Sequence, residues 1–145
     1  MKEDFTVYLR SLGFTDILLP KCNEIFGILS ELADEEILDI FISEYLQKDG
    51  TSNYEEFRVF TETTCLVAKN FLHEHIFVLW NLKSRYVNSH FHSLNYDYKE
   101  ATAQSRLIIH CTSTEGQTGL LMKATKKNCD HLYSIFKKHI KPNLD

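Results

Sequence analysis

Four histidines in two closely spaced pairs are the strongest candidates for chemistry in this sequence. His73 and His75 stand in "FLHEHIFVLW", and His90 and His92 follow in "NSHFHSL". Residues i and i+2 of a β-strand lie on one face, so each pair can present two imidazole rings together. On neighbouring strands the four rings would form a nitrogen ligand set that suits zinc. The alternative to a metal site is that these histidines are ordinary polar residues on a half-exposed sheet.

The four cysteines indicate buried, reduced thiols rather than a catalytic nucleophile. They stand tens of residues apart without a CxxC pair, at Cys22, Cys65, Cys111 and Cys129, and a chain of this size does not need disulfides in a reducing compartment. His110 and Cys111 are neighbours on a predicted strand, so their side chains point to opposite faces. Cys129 and His131 diverge by about 200° on a helix. A dyad of distant residues, such as Cys65 with His73, remains an alternative.

The acidic stretch "ADEEILD" has a structural explanation. We expect Asp34, Glu35 and Glu36 to occupy the cap and first turn of a helix, where the helix dipole stabilises carboxylates. The sequence contains none of the motifs GxxxxGK[ST], GxGxxG, HExxH or GxSxG. Nucleotide-dependent enzymes and the common hydrolases are therefore disfavoured, and we expect no cofactor.

Composition indicates one ordinary globular domain. The chain has 145 residues, of which 43% are hydrophobic and 25% charged, enough to bury a sizeable core. No apolar stretch approaches the roughly 20 residues that cross a bilayer. The N-terminal "MKEDFTVYLR" is acidic and amphipathic, unlike a secretory signal. These features predict a cytoplasmic protein.

Charge is distributed unevenly along the chain. Residues 1–60 contain 5 Lys+Arg and 13 Asp+Glu, a balance of −8, whereas residues 61–145 contain 11 and 7, a balance of +4, which together give the net charge of −4. Such asymmetry is typical of an acidic partner surface, although the two parts can also attract each other across the fold. Neither balance is large enough to predict nucleic-acid binding.

The first 50 residues have the apolar spacing of three helices. The first would start at Asp4 and stop at Gly13, and the second would start at Pro20. The third would be capped by Asp34 and would have the apolar face Ile37, Leu38, Phe41, Ile42 and Tyr45. Residues 1–50 are thus predicted to form an acidic helical segment packed on the main domain.

Residues 51–145 are predicted to form an antiparallel β domain with a C-terminal helix. "FRVFTETTCLVAKNF" and "HIFVLWNLKSRYV" are rich in strand-forming residues, and "RLIIHCTSTEGQTGLLMKAT" predicts a hairpin that turns near Glu115 and Gly116. "SNYEEFRVF" fits either a strand or a short helix. Thr125 or Asn128 would cap an amphipathic helix with the face Cys129, Leu132, Tyr133, Phe136 and Ile140. The expected class is α+β.

From about residue 57 to residue 140, this order of strands, long hairpin and closing helix "KKNCDHLYSIFKKHI" resembles the pleckstrin-homology-like (PH-like) barrel superfold. The resemblance implies binding of phosphoinositides, peptides or other proteins, since fold does not fix function. Members that bind membranes carry a dense basic cluster in the first hairpin. The corresponding stretch here has only Lys69, Lys83 and Arg85, so membrane lipid is a disfavoured ligand.

These features predict a non-catalytic protein-interaction or accessory domain, of the immunity or adaptor type, that binds a protein partner. Its partner-binding residues are predicted on the acidic helical side and on a face of the sheet, at Glu35, Glu36, Asp39, Tyr96 and Tyr98. The alternative is a metal- or small-ligand-dependent enzyme centred on His73, His75, His90 and His92. The sequence does not predict an oligomeric state.

Overall fold

The fold is α+β, as the sequence predicts. The structure, a computed structural model, describes residues 1–73, 76–83, 85–114 and 119–144, with the backbone alone at 87–89. Two helices, α1 (Glu3–Ser11) and α2 (Leu19–Ala33), precede the strands β1 (Asp39–Leu46), β2 (Ser52–Phe60), β3 (Thr64–Lys69), β4 (Ile76–Asn81), β5 (Tyr86–Leu94), β6 (Arg106–Ser113) and β7 (Leu120–Thr125). The closing helix α3 (Asn128–Ile135) continues through a π turn (Phe136–Ile140) and a 3-10 turn (Lys141–Asn143).

The strands form two antiparallel sheets. The first sheet has the order β1-β2-β3-β4 and the second the order β5-β6-β7. The β6–β7 hairpin is confirmed, although its expected turn at Glu115 and Gly116 lies outside the described residues. Residues 52–60, for which the sequence allows a helix or a strand, are strand β2.

The third predicted helix is wrong, because residues 39–46 form strand β1. Asp34 adopts a left-handed conformation, with φ 53°, and ends α2 instead of capping a new helix. Ile40 and Ile42 pack on the side of the first two helices, whereas Phe41 packs on the opposite side. Since both faces of β1 are buried, its apolar residues do not alternate with polar ones, and the same spacing fits a helix. Glu35 therefore lies in a connection, outside any helix.

Two separate cores enclose the first sheet from both sides. The outer core contains α1, α2 and one face of β1–β3, with Leu9, Ile25, Leu29, Ile42, Phe57, Val59 and Leu66 among its buried residues. The inner core lies between the two sheets and α3, with Phe41, Phe60, Leu107, Ile109, Met122, Leu132 and Phe136 among its buried residues. α1 ends at Ser11, and Gly13 in the following turn has a φ of 95°, which suits a residue without a side chain. The N-terminal helices are thus part of the domain's packing.

Side chains, rather than a further described strand, bond to the edge of β1 along the seam where it faces the second sheet and α3. The backbone N–H of Ile42 donates to the Tyr8 hydroxyl at 2.9 Å, and the Asn128 side-chain amide donates to the Ile42 carbonyl at 3.0 Å. His131 Nε2 donates to the Ile40 carbonyl at 2.6 Å. These bonds satisfy the edge of β1 with groups from α1 and α3. The described strands consequently form two sheets that are not closed into a barrel.

The centre of this seam is the carboxylate of Glu44, which is 2% exposed. It accepts hydrogen bonds from the Thr125 backbone N–H and hydroxyl, both at 2.7 Å, from the Asn128 amide at 2.9 Å and from the Ser52 hydroxyl at 2.7 Å. A buried charge is tolerated only when such donors replace water. Glu44 therefore ties β1 to β2, β7 and α3.

We expect stability to fall on acidification because of His131. Its ring stacks on Tyr8 with centroids 3.9 Å apart, and burial lowers its pKa despite the hydrogen bond to Ile40 and the nearby Asp39 charge. The unfolded chain then binds a proton that the folded chain does not, so the free energy of unfolding decreases as pH falls below about 6.5, by at most about 1.4 kcal/mol per pH unit for one histidine. Urea unfolding at pH 7.5 and 5.5 measures this slope.

A substitution at His131 separates this effect from other acid effects. His131→Phe should be less stable at pH 7.5, but its free energy of unfolding should depend much less on pH. His92→Phe, at an exposed position, should keep the pH dependence of the wild type. Asp39 affects stability at lower pH than His131 does. Burial raises its pKa, but the hydrogen bond and charge of His139 outweigh burial and lower it, so its contribution is lost only below about pH 4. An unchanged slope in His131→Phe would contradict the assignment.

Candidate functional site

The structure does not bring the described histidines of the two pairs together. His73 lies in the turn that follows β3, whereas His90 and His92 lie exposed on β5 of the other sheet, and His75 lies outside the described residues. His90 stands opposite His110 on β6, with ring centroids 6.2 Å apart. Within the described ranges, no group of three or more His, Cys, Asp or Glu side chains is placed to hold a metal ion. The four-histidine site stays a prediction.

All four cysteines are buried, and none of them forms a disulfide. Burial raises the pKa of Cys22 and Cys65 to about 11 and that of Cys129 to about 12. Such thiols are neutral at physiological pH and therefore poor nucleophiles. Cys65 lies at the start of β3 and exposed His73 lies beyond its end, so the strand separates the two members of the alternative dyad.

Two of the predicted acidic partner residues are exposed, and the third is committed to the fold. Glu35 accepts hydrogen bonds from Thr61, at 3.3 Å, and from Thr63. Glu36 forms an exposed ion pair with Lys2 at 3.4 Å. Asp39 is half-buried and bonds to His139 at 2.6 Å. Glu35 and Glu36 are thus the exposed members of the predicted acidic set.

The two predicted partner tyrosines lie after β5, in a connection rather than on a strand. β5 ends at Leu94, and Asn95 then adopts a left-handed conformation with φ 57°. Tyr96 is buried and donates to Asp130 at 3.3 Å, whereas Tyr98 is half-exposed and stacks on Tyr133 with centroids 5.3 Å apart. Their rings touch edge to face, and of the two Tyr98 is the exposed one.

Strand β4 is an exposed apolar feature that sequence reasoning missed. It is the last strand of the first sheet, and no described strand pairs with its outer edge. Ile76 is 68% exposed and Leu79 is 57% exposed, and the six residues of the strand contain no charge and no proline. Proteins usually protect a sheet edge with lysine, proline or a bulge. The sequence does contain the apolar run "IFVL". Such a run ordinarily predicts a buried strand, so it does not reveal that β4 is exposed.

The exposed carboxylates lie beside one end of this strand. Asn81, the last residue of β4, pairs with Thr64, and the Leu82 N–H donates to the Thr63 carbonyl at 2.7 Å. Thr63 also donates to Glu35, and Glu62 in the same turn is exposed. We call the outer edge of β4 together with Glu35 and Glu62 the edge surface. It combines an apolar strand with acidic groups at one end.

A cleft of about 400 Å³ opens between the inner face of the first sheet and the second sheet. At its floor, Arg58 is 2% exposed and its guanidinium carbon stands 5.1 Å from the centre of the Trp80 ring. Arg58 Nη2 donates to Glu56 at 2.6 Å and to the Leu121 carbonyl at 2.8 Å, and Nε donates to Glu56 at 3.2 Å. Arg58 therefore spans the gap from β2 to β7.

Among the described residues, no helix has the length and apolar character required to span a membrane. In comparisons with known proteins, no family model, no curated protein and no solved structure matches the chain.

Proposed function

We propose that the protein is a non-catalytic protein-interaction domain of the cytoplasm, which binds an extended segment of a partner protein along β4. The observation that carries the proposal is the apolar and uncharged edge of the first sheet, with which no strand of the described residues pairs. Backbone N–H and carbonyl groups of the added segment would pair with those of β4, as in other cases of strand addition. The domain would act as an accessory protein, of the immunity or adaptor type, without chemistry of its own.

The two faces of β4 define the chemistry of the partner segment. Phe77 and Leu79 stand opposite Ala68 and Leu66 of β3, so they extend the face that the first two helices cover. Ile76 and Val78 alternate with them and lie on the cleft side. A segment with apolar residues at successive positions would pack on both faces. A basic residue at one end would meet the carboxylates of the edge surface, as the acidic first part of the chain predicts.

The PH-like resemblance is compatible with this proposal. Four strands, three strands and a closing helix support it, and the superfold includes proteins that bind peptides and other proteins. The structure adds one strand to the predicted range, since the first sheet begins at Asp39 instead of near residue 57. β1 is also joined to β7 of the second sheet, through the side chains of Ser43 and Glu44.

Lysine substitutions on β4 test the proposal. Wild-type protein would first capture a stoichiometric partner from its host's lysate at low salt, and the affinity of the purified pair would then be measured. Ile76→Lys and Leu79→Lys should each weaken binding by about 30-fold or more, because apolar burial is lost and a charge enters the interface. Both positions are exposed, so the variants should fold normally.

A matched control and the self-association state complete the test. Ile17→Lys introduces the same charge at an apolar position that is 86% exposed, in the connection from α1 to α2, and should bind as wild type does. Wild-type affinity in Leu79→Lys would contradict the proposal. Sedimentation of wild type as a dimer that Leu79→Lys dissociates would assign β4 to a second copy of this chain, which also contradicts it.

A further inference from the structure

We infer that His90 and His110 form a binding site for a divalent transition metal ion of the Ni²⁺, Cu²⁺ and Zn²⁺ class, on the outer face of the second sheet. The site goes beyond partner binding at β4, because both ligands belong to the other sheet. The four-histidine set that the sequence predicts contains His90 but not His110, so the two ligand sets differ.

The strand register makes the two histidines neighbours. His90 of β5 stands directly opposite His110 of β6. Side chains in such a pair start about 4.5–5.5 Å apart at Cβ and lie on the same face of the sheet. Ile109 and Cys111 of β6 are buried in the inner core and His110 alternates with them, so the two imidazoles lie on the opposite, outer face. Both histidines are exposed there.

The separation of the two rings suits a shared metal ion. The ring centroids of His90 and His110 lie 6.2 Å apart. A metal ion at about 2.1 Å from one nitrogen of each ring keeps the two ring centres within roughly 6.5 Å of each other. The ring planes are inclined by 22°, so the two nitrogens converge on one ion only after a rotation of the side chains. Because both side chains are exposed, other staggered rotamers are accessible to them.

Gly119 leaves room for this rotation beside His110. It directly precedes β7, and a Cβ at residue 119 would lie 3.1 Å from His110 Nε2 and 2.1 Å from the Cys111 carbonyl oxygen. Any other residue at this position would therefore crowd both the ring and the backbone of β6. The glycine keeps that side of the imidazole open.

The residue types around the pair determine which ions it takes. Imidazole nitrogens bind Ni²⁺, Cu²⁺ and Zn²⁺, whereas Mg²⁺ and Ca²⁺ prefer oxygen ligands. The strands of the second sheet contain no Asp or Glu. Within the described ranges no third His, Cys, Asp or Glu side chain joins the pair, so water or a group from another molecule completes the coordination. Two ligands supply about half the binding free energy of a four-ligand zinc site, which corresponds to a Kd on the order of 10 µM.

Equilibrium dialysis of the tag-free protein against Ni²⁺ at pH 7.5, with bound metal measured by mass spectrometry, tests the site. Wild type should bind one ion per chain with the stated affinity. His90→Gln and His110→Gln should each weaken binding by about tenfold or more, because one imidazole alone holds the ion poorly. His92→Gln and His73→Gln are matched controls, since each removes an exposed histidine outside the pair, and both should bind as wild type does. Mg²⁺ should not bind.

The variants distinguish the possible ligand sets. Weaker binding in both His90→Gln and His110→Gln, with the two controls unchanged, supports the pair. Wild-type affinity in either of the first two variants, equal weakening in all four, or no saturable binding by wild type would overturn the inference. Far-UV circular dichroism confirms that each variant is folded, as expected for exposed positions. Leu79→Lys should bind Ni²⁺ as wild type does, which separates this site from partner binding at β4.

Discussion

Replacing Glu44 with leucine should lower the free energy of unfolding by about 3 to 5 kcal/mol. The carboxylate is the common acceptor for Thr125, Asn128 and Ser52, and leucine would leave the buried donors among them without a partner. The expected loss is large because Thr125 and Asn128 are buried, so water replaces the lost acceptor poorly. Urea unfolding followed by circular dichroism measures it.

Two variants control for the loss of charge. Glu44→Gln keeps the shape and one acceptor oxygen, so it should cost less, about 1 to 2 kcal/mol. Glu55→Leu removes an exposed carboxylate from the neighbouring strand and should change stability by no more than about 0.5 kcal/mol. Equal stability of Glu44→Leu and Glu55→Leu would mean that the seam does not hold the two sheets together.

Replacing Arg58 with methionine should also cost about 3 to 5 kcal/mol. The Glu56 side chain is 12% exposed, and without Arg58 its carboxylate would lose the two hydrogen bonds that it accepts from the guanidinium. The link from β2 to the Leu121 carbonyl of β7 would be lost as well. Urea unfolding is again the measurement, with Lys69→Met as the exposed control.

A double-mutant cycle shows whether the cost arises from the unpaired Glu56. Removing both charges, in Arg58→Met with Glu56→Leu, should restore about 2 kcal/mol relative to Arg58→Met alone, since no buried charge then lacks a partner. Additive costs of the two substitutions would contradict a coupled ion pair at the floor of the cleft.

Local patterns predict the elements that have one exposed face. α1, α2 and the β6–β7 hairpin follow from apolar spacing and turn residues, since each has one buried and one solvated side. β1 could not be recognised in this way, because the outer core covers Ile40 and Ile42 and the inner core covers Phe41. The left-handed Asp34 suits the end of a helix as well as the start of one.

The seam depends on residues too distant in sequence for any local pattern. Tyr8 and Asn128 are 120 positions apart, and Glu44 meets Thr125 across 81 positions. Asn128 illustrates the difficulty, since it was expected to cap the last helix but its side chain bonds to β1 instead. Residue type alone also predicts that Glu44 and Arg58 are exposed, because charged residues are rarely buried unless they are paired.

The candidate sites likewise combine features that the sequence predicts with features that depend on strand order. The exposed carboxylates of Glu35 and Glu36 were predicted from charge alone, and the structure places Glu35 beside β4. The position of β4 at the end of the sheet depends on strand order, which sequence spacing does not supply. The pairing of His90 with His110 instead of with His73 has the same origin.

Amide hydrogen exchange in the complex tests the central claim most directly. Exchange of residues 76–81 would be compared in the free protein and with its captured partner bound, with residues 3–11 of α1 as the reference. We expect alternate amides of β4 to exchange readily in the free protein and to become about tenfold or more protected in the complex, with α1 unchanged. Partner binding that leaves exchange across residues 76–81 unaltered would contradict strand addition at β4.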